Sequence, residues 1–108
     1  ISCVCAASDE EAEEIARFEP DMILAEPPEL VGGDISVSTA RPEIIRDSVR
    51  RVKKISPATM VLCGAGVKNK DDVRKARELG ADGVGVSSGI VKARDIEAAM
   101  RDIANGLT

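Results

Sequence analysis

Apolar residues in this chain fall into short uninterrupted runs separated by longer stretches with helical spacing. Ile1-Ser-Cys-Val-Cys-Ala-Ala7 is a short, partly β-branched run that stops at Ser8. Ser8 with Glu11 three residues on has the form of a capping box, so a strand is predicted to run into a helix. Asp9, Glu10 and Glu11 crowd its first turn, where carboxylates suit the positive helix end; Ala12, Ile15, Ala16 and Phe18 supply its apolar face. Pro20 and Asp21 end it. Met22-Ile-Leu-Ala25 is apolar at every position, the pattern of a strand covered on both faces, and it terminates in Glu26. Pro27 to Ser36, with two prolines and two glycines, has no periodicity and is the longest predicted loop.

Pro42 suits the first position of the next helix, and Ile44, Ile45, Val49, Val52 and Ile55 carry the helical spacing to Ser56-Pro57. Met60-Val-Leu-Cys63 reads as the third strand, broken by Gly64-Ala-Gly66. Asn69 can cap a helix that buries Val73, Ala76 and Leu79 and stops at Gly80. Gly83-Val-Gly-Val86 reads as the fourth strand, Ser87-Ser-Gly89 as its exit loop, and Asp95 to Asn105, closed by Gly106, as the last helix. Strand and helix thus alternate four times, which predicts an α/β fold with a parallel sheet and right-handed crossovers. Four such units make an open doubly wound sheet or half of an eight-unit barrel. Glycines at the strand exits, Gly64, Gly66 and Gly89, favour the barrel, in which strand C-termini converge on one site.

Composition narrows the partners. At 108 residues the chain is one domain's length, and no apolar run approaches the roughly 20 residues of a membrane-spanning helix. The start lacks the basic-then-apolar pattern of a secretory signal. Fifteen Lys and Arg are interleaved with nineteen Asp and Glu, so no basic stripe for nucleic acid exists. Cys3 and Cys5, two apart, point to one face of a strand; with Cys63 they read as buried reduced thiols of a cytoplasmic protein, since no histidine is present to complete a metal site. The absence of histidine also leaves proton chemistry to a carboxylate or lysine. Ile1 already lies in a strand-like run, which reads as a fragment or one half of a longer polypeptide.

Glu26 is the candidate base. It ends an apolar strand and is followed by two prolines, a partly desolvated position that raises a carboxylate's affinity for a proton and suits it to attack a carbon acid near neutral pH. The competing reading is a strand-end carboxylate paired with a lysine or arginine. Gly32-Gly33, Gly64-Ala-Gly66 and Ser87-Ser-Gly89 follow three consecutive strands. Small side chains there let a phosphate approach backbone N–H groups without a basic side chain, although tight turns also use glycine.

Ala25-Glu-Pro-Pro-Glu-Leu-Val-Gly32, Val61-Leu-Cys-Gly-Ala-Gly66 and Gly83-Val-Gly-Val-Ser-Ser-Gly89 closely resemble triosephosphate isomerase of the archaeal type. The resemblance covers residues 1–108 and is to the C-terminal half of the (βα)8 TIM barrel, its fifth to eighth strand–helix units. It implies that Glu26 carries the carboxylate-mediated proton transfer, through an enediolate, that interconverts dihydroxyacetone phosphate and glyceraldehyde 3-phosphate, without a cofactor or metal. It implies that Pro27 to Ser36 (27–36) is a lid that keeps water from an enediolate prone to phosphate elimination. Val31 and Gly32 match the lid tip on the phosphate, Gly66 the loop after the seventh strand, and Ser87, Ser88 and Gly89 the phosphate cradle after the eighth. The lid departs from the family's Gly-Thr-Gly, reading Gly32-Gly33-Asp34.

The family's lysine at the first strand and histidine at the fourth have no counterpart here, since Lys53 and Lys54 fall on a helix. A lone half is therefore expected to be inactive, its oxyanion unstabilised. Expected partners are the triose phosphate, the missing N-terminal half or another copy of the chain, and a homo-oligomer, tetramer or dimer. The alternatives are a non-catalytic, phosphate-binding or self-associating half-barrel, a flavodoxin-like phosphoacceptor domain with too few acids at its early strand ends, and another phosphosugar barrel enzyme, where Glu26-Pro-Pro-Glu-Leu30 is not expected.

Overall fold

A computed structural model describes all of residues 1–108. The chain runs β1 (Cys3–Ala6), α1 (Asp9–Ala16), β2 (Met22–Ala25), a 3-10 turn (Pro28–Leu30), α2 (Val37–Ala40), α3 (Pro42–Ile55), β3 (Met60–Cys63), α4 (Lys70–Glu78), β4 (Gly83–Val84), α5 (Ser88–Val91) and α6 (Ile96–Asn105). The four strands are parallel in the order β1-β2-β3-β4, with Ala6, Ala25, Cys63 and Val84 in register. This is the predicted α/β alternation, and the sheet order equals the chain order, as in a barrel and unlike a doubly wound sheet.

Local chemistry sets the helix ends where the sequence predicts. The Ser8 hydroxyl accepts from Glu11 N (3.1 Å), Asn69 Oδ1 from Asp71 N and Asp72 N (3.0 Å each), and Asp95 Oδ1 from Ala98 N (3.0 Å). Gly80 takes φ +100° just past α4, a conformation glycine adopts without a Cβ penalty. Arg51 of α3 bonds Asp9 Oδ2 (3.1 Å) and Glu13 Oε2 (2.5 Å), tying α1 to α3.

One face of the sheet is covered and the other open. Ala6, Ile23, Ala25, Val61 and Cys63 point under the helices and are buried with Ala12, Ala16, Ile45, Val52, Val73 and Ala76. The alternate positions Cys3, Cys5 and Met60 are exposed, and Met22, Leu24 and Leu62 only half-buried. This corrects two expectations. Cys3 and Cys5 share a face, but it is the uncovered one, and only Cys63 is a buried thiol. Met22 to Ala25 is covered on one face, because the uniform apolarity of a barrel strand anticipates an interior that these four units do not fill.

Smaller differences have local causes. The first strand begins at Cys3, not Ile1; Phe18 lies past the end of α1 and is exposed. The last strand stops at Val84 instead of Val86, since it is an edge strand with one partner and begins with glycine. α2 and α5, four residues each, are too short for periodicity to reveal, and α5 takes in Ser88 and Gly89, expected as loop. No helix is long and apolar enough to cross a membrane.

Asp82 anchors the start of β4: its Oδ2 accepts from Val61 N (2.8 Å) and faces Lys53 Nζ (2.9 Å). Burial pushes the carboxyl up, but Lys53 and the Val61 N–H outweigh it and hold the group below the usual carboxylate range. A lowered folded value gives stability present above the unfolded value, about 3.9, and lost as pH falls through the folded one. Urea midpoints measured across acid pH should fall less steeply for Asp82→Asn than for the wild type; parallel slopes would remove Asp82 from this role.

The open face predicts the thiol chemistry. Burial pushes the Cys63 thiol up to about 12. A thiol reagent added to the native chain should label Cys3 and Cys5 and reach Cys63 only in denaturant; prompt labelling of Cys63, or protection of all three, would contradict the open face.

Candidate functional site

At the C-terminal edge the ladder continues one residue past the strands. Glu26 N donates to Ala6 O (2.9 Å), Gly64 N to Ala25 O (3.0 Å) and Gly85 N to Cys63 O (2.9 Å), so Glu26, Gly64 and Gly85 stand in a row. The Leu24 side chain lies across both glycines, where an added Cβ would come within 2.8 Å (Gly64) or 2.7 Å (Gly85) of its Cδ1. Gly64 is thus a packing glycine.

The three exit loops are stacked on one another. After Glu26, buried Pro27 leads into the 3-10 turn, and Gly33 N returns to Leu30 O (3.1 Å) with Gly32 at φ +73°. The far end of this segment is fixed: Ser36, Val37 and Ser38 are buried and Val37 N donates to Ala65 O (3.0 Å). Ala65 and Gly66 both take φ +73°, costing a non-glycine residue such as Ala65 about 1–2 kcal/mol. A Cβ at Gly66 would collide with the Ile35 carbonyl oxygen, and one at Gly89 would sit 2.6 Å from Val67 O. Backbone meets backbone at both places.

Between the loops lies a cleft of about 320 Å³ that brings together Glu26, Val31, Gly32, Gly66, Ser87 and Ser88, six of the seven residues singled out in the sequence. Gly89 lines instead an adjoining cavity with Gly32, Asp34, Lys68, Ser88 and Lys92. Ser88 and Gly89 open α5, so their N–H groups have no acceptor within that helix. Glu26 is half-buried, is the one charged residue lining the cleft, and belongs to none of the ion pairs; the lysine- or arginine-paired reading of Glu26 is not what the structure shows.

Two neighbours escaped the sequence reading. Cys5 pairs with Leu24 on the open face from which Glu26 also extends, and its thiol is pushed up by partial burial first, then by the Glu26 carboxylate and by Cys3. Lys68 Nζ bonds Asp34 Oδ1 (2.7 Å), joining two loops. The register of β1 on β2 was the signal for the first; for the second nothing local links residues 34 positions apart.

The sequence model of the family described as triosephosphate isomerase matches residues 2–105. Curated triosephosphate isomerases similar to this chain include those of Methanobrevibacter smithii, 48% identical over 98% of this chain and 48% of the relative, and Methanocaldococcus jannaschii, 45% identical over 93% and 46%. That of Cenarchaeum symbiosum is 44% identical over 100% of this chain and 48% of its own length. The chain therefore spans about half the length of the curated relatives it matches. Among solved structures, the flavin-binding domain of baker's yeast flavocytochrome b2 superposes with a TM-score of 0.72 at 19% identity, over 97% of this chain and 28% of that one, and (S)-mandelate dehydrogenase with 0.64 at 22%. These two are likenesses of fold.

The loop stacking predicts unequal glycines. Gly66→Ala combines a positive φ with a collision against fixed backbone and should cost about 3 kcal/mol or more of stability, whereas Gly32→Ala, with open space around its Cβ, should cost about 1 kcal/mol. Equal shifts in urea midpoint would contradict the stacking.

Proposed function

The chain belongs to the triosephosphate isomerase family, and from that premise we propose that it supplies the C-terminal half of a barrel that interconverts dihydroxyacetone phosphate and D-glyceraldehyde 3-phosphate in glycolysis and gluconeogenesis. The observation that carries this reading is the placement of Glu26, outside every ion pair, in one cleft with the tip of the Pro27–Ser36 segment and the start of α5.

In this reading Glu26 takes the proton from the carbon beside the carbonyl and returns it to the former carbonyl carbon, while one proton passes from the hydroxyl to the former carbonyl oxygen, so no net oxidation occurs and no redox cofactor is needed. The N–H groups of Gly66, Ser88 and Gly89, with the Ser87 and Ser88 hydroxyls, hold the phosphate; Val31 and Gly32 close over it and exclude water, which protects the enediolate. The cleft's residues offer no cation or side-chain amide to the developing oxyanion. The groups that stabilise that charge come from whatever covers Cys3, Cys5, Leu24 and Leu62 on the open sheet face. The occupant is the N-terminal half. A second copy of this chain would cover the same apolar surface but would bring neither histidine nor a strand-end lysine.

The test is an isomerase assay on this chain assembled with the N-terminal half of the Methanobrevibacter smithii relative. The assembly should turn over and the chain alone should not. Glu26→Gln in the assembly should lower kcat by about a hundred- to ten-thousandfold with little change in binding of a substrate analogue. A Glu26→Gln assembly that kept near-normal turnover would overturn the assignment.

A further inference from the structure

Lys68 lies outside the cleft, yet it touches both of the segments that the phosphate reading relies on. Its backbone is pressed against the start of α5: a Cβ on Gly89 would come 3.3 Å from Lys68 Cα and 2.6 Å from Val67 O. Its own N–H is held by Asp72 Oδ2 (2.9 Å), two residues into α4, so its position is fixed. Its side chain reaches the other way, to the segment between Glu26 and α2, where Nζ bonds Asp34 Oδ1 at 2.7 Å. That bond holds the Asp34 carboxyl below the usual carboxylate range. Asp34 has no other partner, and its side chain is 96% exposed. The carboxylate is thus attached to the protein at one point, two residues after Gly32 at the tip.

The cavity between the two segments, about 310 Å³, is lined by Gly32, Asp34, Lys68, Ser88, Gly89 and Lys92. An ammonium has three N–H donors, and Asp34 uses one. A phosphate held on the N–H groups of Ser88 and Gly89 would lie beside a cation already bonded to the lid.

We propose that Lys68 is a positioning residue that couples occupancy of the phosphate cradle to the lid through Asp34. Without ligand, the pair is the side-chain tie on the Gly32–Ile35 stretch, added to the backbone holds at Gly33 N on Leu30 O and at the Ile35 carbonyl against Gly66. When a phosphate dianion occupies the cradle, Lys68 binds both anions, and the lid is held by the ligand as well as by Asp34. An exposed single pair suits this task, because it is weak enough to open for substrate entry and product release. The inference rests on the phosphate reading of the cradle for its second half only; the ligand-free latch stands on the Asp34–Lys68 bond itself.

The experiment is hydrogen–deuterium exchange of the 108-residue chain, followed over residues 29–37 and 83–92, with inorganic phosphate as the probe. In its absence Asp34→Asn and Lys68→Gln should each speed exchange of 29–37 by about three- to fivefold, the size of an exposed ion pair. The double variant should be no faster than either single one. The swap Asp34→Lys with Lys68→Asp should restore slow exchange, and 1 M NaCl should erase the wild-type advantage. Single variants without effect, or effects that add, would overturn the latch.

Phosphate should then slow exchange of both segments in the wild type. In Lys68→Gln it should slow 83–92 alone. In the swapped variant, where an aspartate faces the cradle, the latch should persist and the phosphate response of 29–37 should vanish. Equal protection of 29–37 in wild type and Lys68→Gln would overturn the coupling. Phosphate that protects neither segment of the wild type would count against the cradle, and so against the proposed function and the coupling, while the phosphate-free results still decide the latch.

Discussion

The structure depends on backbone meeting backbone at two glycines. Gly66 packs on the carbonyl of Ile35 and Gly89 on that of Val67, so the three loops that leave β2, β3 and β4 form one stack. Each contact excludes a Cβ, and the first is reinforced by Val37 N donating to Ala65 O across the same boundary. The stack fixes the far end of the 27–36 segment and leaves its tip, Val31 and Gly32, exposed over the cleft. Parallel strands in chain order put all three exits at one edge, so the order of the sheet gathers the loops into one cleft.

The same sheet has an incomplete core. Its helix-covered face buries Ala25, Ile45, Cys63, Val73 and their neighbours, while Leu24 and Leu62 on the opposite face stay half-exposed. Glu26 extends from that second face, which makes the uncovered surface and the cleft edge one continuous region. Under the proposed function, closing the barrel and completing the chemistry are the same event: a covering half would remove apolar surface from water and bring the oxyanion donors with it.

Much of this was legible in the sequence, for identifiable reasons. Strong periodicity over Pro42–Ile55, the caps at Ser8 and Asn69, and the apolar runs at Met22 and Met60 fixed the elements, because each signal is local. Six of the seven candidate residues share a cleft because strand ends in a parallel sheet converge whatever joins them. The burial of Cys3 and Cys5 was misjudged because apolarity records the environment a strand suits, and this face has no cover. Two short helices, the left-handed Ala65 and the Asp34–Lys68 pair were illegible: the first lack periods, and the others arise from contacts between distant segments.

The central claim is that the open face is a closing surface for a second half-barrel. Native mass spectrometry of the chain mixed with the N-terminal half of the Methanobrevibacter smithii relative tests it most directly. A one-to-one particle that replaces both separate species is expected. A chain that stays a lone 11.4 kDa monomer in that mixture, with its fold intact, would contradict it.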